Sequence, residues 1–145
     1  MITADLIKKI TEKNFNEIVS IRRHLHMNPE LSFQEFETSK FVCGVLDEFK
    51  IPYKTGFVKT GIVAHIQGKN PTHKVIALRA DLDALPIHEK NKVPYCSTKE
   101  GLMHACGHDV HTASLLGAAI ILNEIKDQFE GTIKLIFQPG EELLP

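Results

Sequence analysis

Two strand-like runs enclose one apolar helix-like segment, and this order restricts the fold more than any other feature of the chain. KVIALRA, residues 74–80, is almost continuously apolar, and TIKLIFQ, residues 132–138, is the second run. Between them, residues 109–126 read as a helix carrying the run LLGAAIIL, and Gly131 breaks the chain before the second strand. A strand, a crossover and a second strand favour parallel neighbours with the helix packed on the sheet. A strand without polar alternation, such as KVIALRA, is expected to be covered on both faces. Pro139 cannot continue a central ladder, so the last strand ends there.

The preceding residues extend this unit. Residues 3–27 read as a helix with Leu6, Ile10, Ile18, Ile21 and Leu25 on one stripe. Thr3 or Asp5 can cap it, and Asn28-Pro29 stops it. Residues 34–49 read as a second helix with Phe36, Phe41, Val45, Leu46 and Phe49 inward. Ser32 and Glu35 ahead of it resemble a capping box. Residues 53–58 and 61–67 read as two further strands, and 81–105 as a long irregular loop. The expected architecture is α/β, a mixed sheet flanked by helices.

The chain has 145 residues, 17 of them basic and 18 acidic, for a net charge of -1. Such a balance offers no field for nucleic acid, and no basic run stands out. LLGAAIIL falls far short of the roughly 20 apolar residues of a membrane span. Three widely spaced cysteines, Cys43, Cys96 and Cys106, argue against a disulfide framework and lead us to expect a cytoplasmic setting.

Three segments carry chemistry, and each follows a strand or its loop, where sites of open α/β sheets collect. HACGHD, residues 104–109, offers Cys106 and His108 two residues apart. In an extended segment these point the same way, toward one ion, and Gly107 lets the backbone approach it. The N-terminal dipole of the following helix would favour the Cys106 thiolate. Thiolate and imidazole suit zinc and its neighbours. They also suit a cysteine nucleophile with a histidine base, or Asp109 as a plain cap beside exposed histidines. Glu141-Glu142 follow Pro139-Gly140. In extended chain they point apart, so that one can bind a metal and the other act as general base. The alternative is a solvated pair at a frayed end. Asp81 and Asp83 share one face and can support ligands from behind, or they mark a loop start where an aspartate pairs with Arg79. His24 and His26 stand at a helix end, where they complement the dipole.

Taken in order, RRHLHMNPELSFQEFET, TGIVAHIQG, ALRADLDALPI, MHACGHDVHTASLLGAA and FQPGEE resemble the N-terminal part of a metal-dependent N-acyl-amino-acid amidohydrolase family. The family includes hippurate hydrolases and hydrolases of auxin-amino-acid conjugates, within the wider aminoacylase and metallo-carboxypeptidase group. The resemblance covers essentially the whole chain. It implies a two-metal centre in which Cys106 bridges and His108 and Glu142 are ligands. It implies Glu141 as the general base, passing a proton from water to the leaving amine. The donor types admit zinc or manganese, with cobalt or nickel also suited. Gly140 stands where the family more often has alanine. The resemblance also implies a longer chain, with two further histidine ligands and a smaller lid and dimerisation domain. Residues 1–145 are therefore expected to form part of a catalytic domain, inactive by themselves. A non-catalytic metal-binding or structural remnant of the fold is the alternative. The implied partners are a small N-acyl amino acid and, for the longer protein, a second copy, with neither nucleic acid nor membrane.

Overall fold

A computed structural model describes residues 1–143 of the chain. Its elements run α1 (Ala4–Met27), α2 (Phe36–Glu48), β1 (Tyr53–Phe57), β2 (Gly61–Gln67), β3 (Val75–Asp81), α3 (His108–Glu124), a short 3-10 turn (Lys126–Gln128) and β4 (Thr132–Gln138). The sheet order is β1-β2-β4-β3. β2 is antiparallel to both β1 and β4. β3 and β4 are parallel, joined through α3 as the strand-helix-strand order demands. The fold is thus α/β with a mixed four-stranded sheet.

Alternation builds the core. Ile62, Ala64 and Ile66 of β2 and Ile133, Leu135 and Phe137 of β4 point to one face. There they meet Ile21 and Leu25 of α1, Val42, Val45 and Leu46 of α2, and Ala113, Leu116, Ala119 and Ile120 of α3. Gly117 lets α1 lie close to α3, since a Cβ there would stand 2.8 Å from the Ile18 side chain.

Thr3 caps α1, its hydroxyl accepting the Leu6 N–H at 3.2 Å. The capping box expected for α2 does not form. Ser32 and Glu35 turn their side chains elsewhere, and Glu30 accepts the N–H groups of Glu37 and Thr38 instead. Phe36 is 60% exposed rather than inward. It lies about 200° around the helix from Thr38, whose side is the buried one.

The continuous apolar run also departs from expectation. β3 stands at the sheet edge, and Val75, Ile76 and Leu78 are 54%, 46% and 38% exposed. Only its end, Ala80 and Asp81, is buried, where α3 covers it. Among the described residues nothing supplies the second cover that such a strand calls for. No described helix is long and apolar enough to cross a membrane.

Candidate metal centre

The site lies at the carboxyl ends of the parallel strands. β3 delivers Asp81 and, just beyond it, Asp83. β4 ends at Gln138 and delivers Glu141 and Glu142 through Pro139-Gly140. Cys106 and His108 come from the segment that opens α3. Cys106 Sγ, a His108 ring nitrogen and a Glu142 carboxylate oxygen lie within 4.8 Å of one another.

The backbone achieves this by turns, where the sequence suggested extended chain. Gly107 adopts φ 98 as the residue before α3, so Cys106 and His108 converge through a left-handed turn. Gly140 adopts φ 66, and the glutamates occupy the turn that follows. They do not point apart. Glu141 Oε2 and Glu142 Oε1 stand 3.6 and 3.7 Å from the same His108 Nε2.

Asp83 organises these candidate donors. His108 Nδ1 donates to its backbone oxygen at 2.9 Å and to Oδ1 at 3.2 Å. That fixes the proton on Nδ1 and leaves Nε2 with a free lone pair facing the glutamates. Oδ2 accepts the Glu142 N–H at 2.8 Å and the Ser32 hydroxyl at 2.6 Å. Burial by itself would raise the Asp83 pKa, but these donors together hold it far below the carboxylate range. The Asp83 carboxylate raises the His108 pKa in turn.

The donor set fits a cation. Glu142 Oε1 is buried without a hydrogen-bond partner. Desolvation and then the neighbouring Glu142 carboxylate, with Glu141 and Asp81, push the Cys106 thiol pKa up. The expected help from the helix dipole is overridden by this negative surplus, which a divalent ion would relieve.

Asp81 pairs with Arg79 at 3.2 Å and stands 3.6 Å from His111 Nδ1, at the flank of the site. His104 is buried with both ring nitrogens unpartnered, and burial lowers its pKa to about 4.

His26 does more than complement a helix end. Its Nδ1 faces Asp109 at 2.6 Å and its Nε2 faces Glu89 at 3.0 Å. Arg22 reaches the same Asp109 oxygen at 3.0 Å. Asp109 therefore serves an ion-pair network rather than a simple cap. Sequence reading missed the roles of Glu89 and Arg22, because the contacts that draw them into this network, Glu89 with His26 and Arg22 with Asp109, each span more than 60 residues. Glu35 was readable only as a local cap, yet it reaches Gly140 at the far end of the chain.

Residues 77–144 match the model of peptidase family M20/M25/M40. The N-acetyl-L-cysteine deacetylase of Bacillus subtilis (strain 168) is 53% identical over 126 residues, covering 87% of this chain and 30% of the relative. The chain belongs to the M20 peptidase family. The N-acyl-L-amino acid amidohydrolase of Geobacillus stearothermophilus is 44% identical over 143 residues, or 99% of this chain and 38% of that protein. The crystal structure of a Bacillus subtilis dinuclear metal binding peptidase of the M20 family superposes with a TM-score of 0.85 at 46% identity. That match covers 91% of this chain and 37% of the other. The chain thus spans about a third of the length of these relatives, which are hydrolases by name.

Proposed function

We propose that this chain contributes part of the active site of a metal-dependent amidohydrolase that cleaves N-acyl amino acids. The observation that carries the proposal is the convergence of Cys106, His108 and Glu142 on one point, with Glu141 beside it. In this reading Cys106, His108 and Glu142 hold metal, and two ions are accommodated, as in the dinuclear relative. Two ions take more donors than these three, and the remainder is assigned to parts of the protein outside the described residues. Zinc or manganese suits the donors, as do cobalt and nickel. The same reading places the protein in the cytoplasm, in keeping with three free cysteines, and as a homodimer at full length.

A bound divalent metal supplies Lewis acidity to the amide carbonyl and to water. Glu141 takes the proton from the attacking water as its oxygen bonds to the acyl carbon. Glu141 then returns that proton to the amine nitrogen as the carbon–nitrogen bond breaks. The products are a carboxylic acid and a free amino acid. Asp83 keeps His108 in the tautomer that offers Nε2 and fixes the backbone of Glu142.

In the full-length protein, Glu141→Gln is expected to lower turnover of N-acetyl amino acids by about 10²–10⁴-fold with bound metal unchanged. Loss of metal with the activity would make Glu141 a ligand. Wild-type protein that binds metal yet hydrolyses no acyl amino acid would favour the non-catalytic alternative.

A further inference from the structure

We infer that Glu35 is a positioning residue that suspends the Gly140–Glu142 turn, and with it the proposed base and metal ligand. Glu35 precedes α2 and is wholly buried, at 0% exposure. A carboxylate in such a place is costly unless its oxygens are matched. Oε2 accepts the Thr60 hydroxyl at 2.7 Å, and Oε1 accepts the Gly140 N–H at 2.8 Å.

The second contact matters because of where the chain is at that point. β4 has ended at Gln138, and Pro139 has no N–H to give. Gly140 is buried and has left the ladder, so its N–H needs a partner from elsewhere. Two residues later the Glu142 N–H is taken by Asp83. The turn is thus held at alternate amides by two buried carboxylates, and Glu141 is the residue between them.

The segment that carries Glu35 touches this turn a second way. A Cβ on Gly140 would collide with the Phe33 ring, so the ring packs directly on the bare glycine. Ser32 of the same segment donates to Asp83. Residues 32–35 therefore form a cradle under the glutamate pair, although they contribute no ligand. A sequence pattern that looked like a helix cap serves the site.

The inference rests on the metal-site reading above, and its test separates the two. Hydrogen exchange in metal-free protein should show the Gly140 amide protected. In Glu35→Ala that protection should fall much more at Gly140 than at Leu135 in β4. Divalent-metal affinity of the full-length protein, measured by competition with a chelator, should weaken by about 10–100-fold in the same variant. Turnover should fall through kcat more than through KM. Glu35→Gln should restore all of these, because its amide oxygen still accepts the Gly140 N–H. Equal loss of protection at Gly140 and Leu135 would reduce Glu35 to a residue of general stability and overturn the inference. So would a folded Glu35→Ala with wild-type metal affinity, or a Glu35→Gln as impaired as the alanine variant. Should Glu35→Ala not fold, fast exchange of Gly140 in wild type or in Glu35→Gln overturns it. Wild type that binds no metal would sink the site reading, while the Gly140 exchange would still judge the contact.

Discussion

Asp83 shows how much one side chain can organise. Its carboxylate orients the His108 ring, takes the backbone N–H of Glu142 and accepts from Ser32. An asparagine of the same shape can accept from only one of its two branches and would face a donor with another donor. Asp83→Asn is expected to weaken divalent-metal binding by about 10–100-fold in a chelator competition, with the fold retained. Unchanged affinity would mean that His108 and Glu142 hold their places without it. The sequence placed Asp81 and Asp83 on one face as support for a site. It could not divide the roles between them, because the division depends on which aspartate lies beyond the strand end and beneath α3. Cys106 and His108 were legible as a pair for the same local reason that Glu35 was not. Their partners are two residues apart, whereas Glu35 meets a residue 105 positions away.

The loop between β3 and α3 is the least periodic part of the sequence, and a polar network anchors it. Glu89 ties it to His26 of α1, to the Ser97 N–H and to Asn91. Burial works against the charge, but these donors outweigh it and bring the Glu89 pKa from 4.5 down to about 2. A carboxylate with a depressed folded pKa stabilises the protein above its unfolded pKa and loses that effect as pH falls through the folded value. Glu89→Gln should therefore cost about 1–2 kcal/mol at pH 7 in urea unfolding of metal-free protein. Between pH 4.5 and 2 the gap from wild type should close, since wild type loses the same charge there. A gap independent of pH would show that the Glu89 charge is not what holds the loop. The helices and strands themselves were readable, because period and end signals are local. The corrections fall where a distant element decides. Phe36 faces outward because α2 is buried on its Thr38 side, and α2 is capped by Glu30 from upstream.

At the scale of the molecule, β3 is the exposed flank. KVIALRA reads correctly as a strand, but its apolar composition states a need for cover that the described residues do not meet. Val75, Ile76 and Leu78 stand open on an edge with free pairing groups, the arrangement that invites edge-to-edge association. Residues 1–145 produced as such are expected to self-associate in sedimentation, and Ile76→Lys with Leu78→Lys should shift them toward monomer. A monomer before substitution, or no shift after it, would contradict this. The strand ends opposite that need are where the chemistry gathers. β3, β4 and the start of α3 bring three separately legible motifs to one place, which is why the order of elements and the motifs pointed to the same site.

In the function proposed above, Cys106 holds a divalent metal together with His108 and Glu142. Cobalt(II) loaded into the full-length protein reports a thiolate ligand through a sulfur-to-metal charge-transfer absorption in the near ultraviolet. That absorption is expected in wild type, in Cys43→Ser and in Cys96→Ser, and its loss is expected in Cys106→Ser. Its persistence in Cys106→Ser, or its absence from cobalt-loaded wild type, would contradict the account.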